Sequence, residues 1–316
     1  MSEERFTVGA ERYAQIARFA LWTLALIVLT GAAVRVTGSG LGCPTWPKCT
    51  ETSLYTELNT HGVIEFGNRV LTSVVGFAAI AAFAGALRRR PYRKDLVLLG
   101  ATLPLGVLAQ IILGGFTVRY DLAPGFVMSH YLLSMLILIG AVALDWRARR
   151  EPDESPVTSD RLVGWGMRLL LGLGAVTIFA GTAATAAGPH AGGAGTGDEI
   201  KRLDFKGSET LNFVISQHSR LAAVLGVLAV ALWVLARRRG ASVLQRSTLT
   251  VVCVLLAAQG VIGGLQYELE LPAEIVWVHV SLAAATWIAI LRAVAAARRP
   301  QEKAAPTRRN REAAPV

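Results

Sequence analysis

The chain has 316 residues, 53% hydrophobic and only 17% charged, with a mean hydropathy of +0.46 and a net charge of +10. Soluble domains carry about 25% charged residues. Here eight continuous apolar runs of roughly 18 to 25 residues, long enough to cross about 30 Å of hydrocarbon, dominate the sequence. A soluble enzyme, a secreted disulfide scaffold and a disordered chain are excluded, and so is a membrane β-barrel, whose strands alternate. The expectation is an all-α, polytopic membrane protein.

In chain order the spans fall near 17–36, 62–87, 95–115, 124–146, 162–184, 213–236, 247–265 and 273–295. The first is full length and follows Glu3, Glu4, Arg5, Glu11 and Arg12, which is not the pattern of a cleaved signal peptide. Basic residues alternate between the two sides. One side holds Arg5, Arg12, Arg18, the Arg88–Lys94 loop, Arg147–Arg161, Arg237–Arg246 and the tail from Arg292 to Arg311; the other has only Lys48, Arg119, Lys201, Arg202 and Lys206. The positive-inside rule then puts both termini in the cytoplasm of a multi-pass cell-membrane protein. Topology accounts for the positive charge without a nucleic-acid partner. The tail, 301–316, reads as disordered and basic.

The spans repeat. Ala109-Gln110 and Gly114-Gly115 in span 3 recur as Ala258-Gln259 and Gly263-Gly264 in span 7, and Val127–His130 in span 4 recurs as Val276–His279 in span 8. Span 2 carries Ile64-Glu65 and Arg69 where span 6 carries Ile215-Ser216 and Arg220. Span 1 exits through Thr37–Gly40 and span 5 through Ala187–His190. Four spans per half is an even number, so the halves share an orientation about an axis along the membrane normal. The predicted architecture is two tandem four-helix bundles with pseudo-two-fold symmetry: 1–150, 151–300 and the tail. Paired glycines also let helices approach closely, which by itself would explain them.

Only five histidines occur. On this topology His61 lies at the outer mouth of span 2, while His130, His218 and His279 sit about 5 or 6 residues into spans 4, 6 and 8, roughly 8–9 Å below the outer boundary. A single histidine there would be an ordinary hydrogen-bonded packing residue. Three at one depth point to axial haem ligands inside bundles. His218 and His279 make a complete pair in the second half, where zinc would lack further ligands. The first half differs: opposite His130 stand His61, Glu65 and Asn68, spaced along one face of span 2. A glutamate one turn inside a membrane is a functional residue by default, although pairing with Arg69 four residues on would satisfy both.

The first outer loop reads TGSGLGCPTWPKC, with Cys43 and Cys49 on the oxidising side, so a disulfide is feasible, as a structural staple or as a redox-active pair. Cys253, in mid-span 7, reads as a small core residue.

That loop, the IEFGNR segment of span 2, the GPHAG loop after span 5 and the single histidines of spans 4, 6 and 8 together resemble haem A synthases of the actinobacterial kind over nearly the whole chain. The resemblance implies an oxidoreductase that converts the C8 methyl of haem O to the formyl of haem A for cytochrome oxidase biogenesis. It implies a b-type haem on His218 and His279, substrate haem on His130, an essential Glu65, and a cysteine pair taking part in electron or haem transfer. Arg69 and Arg220 would then face haem propionates. Haem O synthase and an aa3-type oxidase become implied partners, and a homo-oligomer is compatible with it. One departure stands out: many members have histidine directly before the span 2 arginine, where this chain has Asn68, leaving His61, Asn68 or water for the second axial place. The rivals are a quinol-oxidising dihaem cytochrome, which needs two six-coordinate haems, and a repeat-built transporter, which would place its polar residues at the midplane.

Overall fold

The computed structural model describes residues 7–56, 58–150, 160–193, 195–197 and 199–297. The expected disordered tail, 301–316, and 151–159 of the linker lie outside these. Eight helices follow one another: α1 (Ala10–Val36), α2 (Thr60–Arg88), α3 (Lys94–Arg119), α4 (Pro124–Ala148), α5 (Arg161–Ala187), α6 (Thr210–Arg238), α7 (Val243–Glu268) and α8 (Ala273–Ala296). All eight are long and apolar enough to span a membrane, and the chain is a multi-pass membrane protein. Two short strands, β1 (Val8–Gly9) and β2 (Arg89–Arg90), pair in parallel and tie the start of α1 to the α2–α3 loop.

Most helices exceed their apolar runs by a few residues. The largest difference is at α1, which begins at Ala10 rather than near 17. Glu11 and Arg12 face outward there while Tyr13 and Ala17 continue the buried stripe, so a hydropathy window ends where the helix does not. Helix starts follow their capping residues: Asn59 accepts from the Gly62 N–H (2.7 Å), Asp160 caps α5, Ser242 and Gln245 form a capping box on α7, and Pro124 opens α4. Hydroxyls of Thr117, Thr177 and Thr286 inside the spans bond back to carbonyls one turn earlier, which satisfies those donors within their own helices.

The interior is built from small residues, with Ala20, Ala79, Ala82 and Ala86 fully buried, while large side chains such as Phe77 and Val227 point outward. That distribution belongs to helices packed in lipid. Each set of four forms a circuit: α1 packs on α2, α2 on α3, α3 on α4 and α4 on α1, and α5 to α8 do the same. The circuits meet along α1–α8, α4–α8 and α4–α5. Across that seam Trp277 Nε1 donates to the Leu29 carbonyl and Trp287 Nε1 to the Met135 carbonyl, each at 3.0 Å. At the arginine-rich end buried Asp145 receives Arg18 from α1, Arg149 from its own helix and Arg292 from α8.

The repeat extends to the backbone. The α3–α4 and α7–α8 turns both place two consecutive non-glycine residues in the left-handed region, Asp121-Leu122 and Glu270-Leu271 (φ 48°, 56°, 60° and 63°), which is rare for leucine. Each leucine N–H bonds to the carbonyl five residues back, Thr117 and Gln266 respectively.

Candidate functional site

The loop end of the first half is organised by α2. Glu65, 6% exposed, is anchored through both oxygens: Oε2 accepts the Cys43 N–H at 2.7 Å, and Oε1 accepts Arg69 Nη2 at 2.6 Å and Nε at 3.1 Å. Arg69 spends its remaining donors on the Thr45, Lys48 and Cys43 carbonyls (3.0, 3.2 and 2.8 Å). The i,i+4 pair thus satisfies itself and also grips the loop that Cys43 and Cys49 close with a disulfide. Both cysteines are fully buried. Gly42 lets this loop lie against the His61–Gly62 peptide, where a Cβ would have no room.

The loop delivers Trp46 onto α3. Its indole lies over Gly115, where a Cβ would approach it to 2.8 Å; the neighbouring Gly114 faces the His130 ring, 3.3 Å from Cε1. The Gly-Gly pair therefore seats a histidine with one residue and a tryptophan with the other. In the second half Gly263 packs on His279 Cε1 (3.1 Å) in the same way, but Gly264 faces open space.

The other first-half candidates have protein partners. His61 Nδ1 bonds to Ser39 Oγ at 2.8 Å with the Gly195 backbone against its ring, and Asn68 Oδ1 accepts from Thr30 Oγ1 at 2.7 Å. Among the described residues, His130 makes no ring contact with another histidine. His190, of the GPHAG loop, bonds through Nε2 to the Leu271 carbonyl (2.7 Å) and receives Arg35 Nε on its own carbonyl (3.1 Å), linking two second-half loops to the end of α1.

In the second half the structure brings the expected pair together. The His218 and His279 rings lie 6.2 Å apart, centroid to centroid, at 79°. His218 Nδ1 is 3.0 Å from the Thr177 carbonyl; a carbonyl only accepts, so Nδ1 carries the proton and Nε2 keeps a free lone pair. Two imidazoles each bonded to one metal at about 2 Å have centroids roughly 6 Å apart, so the spacing fits axial ligation of a haem iron. Gly181 makes room for the His218 ring, 3.0 Å from Cε1. Arg220 on α6 is exposed, and among the described residues no acidic group pairs with it. Among the same residues no cluster of three His, Cys, Asp or Glu offers a conventional metal site.

Sequence reasoning did not single out Trp46 as a packing element, nor Ser39, Thr30 and Thr177 as partners. Only the Gly-Gly repeat hinted at what packs there.

Matched helix circuits whose interiors present histidines define the chain as a multi-pass helical membrane protein. It belongs to the cytochrome oxidase assembly protein family (COX15-CtaA), which it matches over residues 14–291. Among its relatives are the Heme A synthase of Lysinibacillus sphaericus (strain C3-41), 32% identical over 120 residues, 38% of this chain and 39% of the relative, and that of Geobacillus kaustophilus (strain HTA426), 33% identical over 132 residues, 40% and 41%. A Protoheme IX farnesyltransferase of Thermus thermophilus is 28% identical over 280 residues, 85% of this chain and 45% of the relative. The chain thus spans less than half the length of the curated relatives it matches.

Proposed function

We propose that this protein is a haem A synthase, an oxidoreductase that converts the C8 methyl of haem O to the formyl of haem A, with substrate in the first half and a b-type haem in the second. The observation that carries this reading is the asymmetry of two otherwise matched halves. One has a facing histidine pair at 6.2 Å; the other has one histidine beside a loop pinned by a buried carboxylate. Relatives named Heme A synthase support it.

The b-type haem supplies one-electron transfer when bound. His218, its Nδ1 proton held by Thr177, and His279 would hold its iron, and exposed Arg220 would pair with a propionate. In the first half His130 holds the substrate's iron. Asn68 is engaged with Thr30 Oγ1 at 2.7 Å, so it would have to give up that bond to reach the substrate's iron. Glu65 keeps a fixed negative charge near the reacting face, where a preorganised carboxylate stabilises positive charge developing at the oxidised carbon. Arg69 acts through the loop rather than on a propionate, because its donors are engaged with Glu65 and loop carbonyls.

The end carrying the cysteine loop faces outward and the arginine-rich end and termini face the cytoplasm, as the basic residues direct. The Thermus relative's printed name describes a farnesyltransferase acting on protohaem, and the match leaves more than half of that chain free. This supports a haem O-forming enzyme as the upstream partner, with an aa3-type oxidase as recipient.

The test is extraction of haem from protein purified from cells that also supply haem O, followed by chromatography and mass spectrometry. Haem A beside haem B is expected. Haem B alone, with haem O shown to be present, overturns the enzyme in favour of an electron carrier.

A further inference from the structure

The four intramembrane and mouth histidines differ in how Nδ1 is satisfied. His218 uses the Thr177 carbonyl and His61 uses Ser39 Oγ. His130 and His279 have Nδ1 buried with no partner. On the helices facing them, Gln110 Oε1 and Gln259 Oε1 are also buried with no partner. An unpartnered ring nitrogen and an unpartnered amide oxygen therefore occur on packed neighbouring helices in both halves, at the same repeat spacing. Leaving a buried polar atom unpaired costs about 1–3 kcal/mol, and two matched instances call for a common cause.

The local geometry says why each pair belongs together. Gly114 and Gly263 each lie one turn along the helix from their glutamine, on the same face. Both meet the Cε1–Nδ1 edge of the ring: the Cβ position of Gly114 is 3.3 Å from His130 Cε1 and 3.9 Å from Nδ1, and that of Gly263 is 3.1 and 3.6 Å from the same atoms of His279. The edge bearing Nδ1 is thus turned toward the helix that carries the glutamine. In the first half the amide orientation is determined. Gln110 Nε2 donates to the His130 carbonyl (3.0 Å) and to Ser134 Oγ (2.6 Å), while Ser134 itself donates to the His130 carbonyl. A flipped amide would set oxygen against a carbonyl, so Oε1 is the end left over.

We propose that Gln110 and Gln259 are positioning residues for the ligand histidines: each amide oxygen accepts the Nδ1–H of His130 or His279, which fixes the tautomer and turns Nε2 toward iron. This rests on the haem-binding reading above. Ligand histidines are ordinarily steered by such an outer partner, whose loss costs about 10- to 100-fold in metal affinity. Here a neutral amide on a neighbouring helix does what the Thr177 carbonyl does for His218, and the small ring movement that closes the contact accompanies haem binding.

Gln259 is the cleaner test, because the residue at the position equivalent to Ser134 is Ala283 and, among the described residues, Gln259 carries no bonds like those that tie Gln110 to its neighbours. The purified full chain, wild type and with Gln259→Leu or Gln259→Glu, is measured for haem b content, haem retention during dilution, and the midpoint potential of that haem. Gln259→Leu should weaken retention about 10- to 100-fold and raise the potential, because a less basic imidazole favours ferric iron less. Gln259→Glu, a stronger acceptor, should lower the potential while keeping the haem, a shift in opposite senses that a packing role would not produce. Potential and retention unchanged in both variants, or moved in the same direction, overturn the proposal. Wild-type protein without second-half haem brings down the underlying reading instead, and the proposal with it.

Discussion

The two halves share a scaffold and differ in what is mounted on it. Their helix circuits, their left-handed turns at Asp121-Leu122 and Glu270-Leu271, and their glycine seats under His130 and His279 correspond. The differences are concentrated at α2 and its preceding loop. Where α6 offers Ser216, His218 and Ser219, α2 offers Glu65, Gly67 and Asn68 at the matching places, and only the first half has a disulfide loop bearing a tryptophan. The two circuits thus differ mainly on one helix and one connection. On the proposed reading, the half with the facing His218–His279 pair is the one suited to hold a cofactor. On the same reading, the half with His130 and the loop-anchored Glu65 is the one suited to act on what it would hold.

The sharpest way to break this comparison is to remove ligands one half at a time. His279→Ala should abolish haem b binding in the purified protein and leave haem O bound in the first half, read from the extracted haems. Loss of both haems together would mean that the halves do not carry separate sites. Next in size, Glu65→Gln should lower haem A formation about a hundredfold or more with haem b content unchanged. Gln keeps an oxygen for the Cys43 N–H, so the loop stays closed, and a matching loss of loop integrity is expected only in Glu65→Ala, which strips Arg69 of its partner. Normal haem A formation by Glu65→Gln would reduce Glu65 to a loop anchor.

Much of this was legible in the chain. Span number and the repeat follow from periodic apolar runs, since the hydrocarbon thickness admits few alternatives. The His218–His279 pair was readable because both lie at one depth in the same half. The boundary of α1 was not, because Glu11 and Arg12 lie on an exposed face of a helix whose buried face continues through Tyr13. Nor was the fate of Arg69. The i,i+4 spacing announced its bond to Glu65, but its three loop carbonyls depend on the path of a connection rich in glycine and proline, and no periodicity encodes that path. Trp46 was hidden for the same reason: its seat on Gly115 joins a loop to a helix distant in sequence.

The smallest expected effect is the most exacting test of the asymmetry, because it asks one substitution to act oppositely at two repeat-equivalent places. Gly264 faces open space, so Gly264→Ala should raise stability by roughly 0.5–1 kcal/mol through helix propensity alone, seen as a small upward shift of the thermal midpoint in detergent. At Gly115 the added methyl would meet the Trp46 indole at 2.8 Å, and overpacking of that kind costs about 1–3 kcal/mol. Gly115→Ala should therefore lower the midpoint and weaken haem O retention while sparing haem b. Combining it with Trp46→Ala should recover the stability, since the methyl then has no ring to displace, but not the substrate retention if the indole forms a wall of the first-half site. Equal effects of alanine at 115 and 264 would show that the loop does not distinguish the halves.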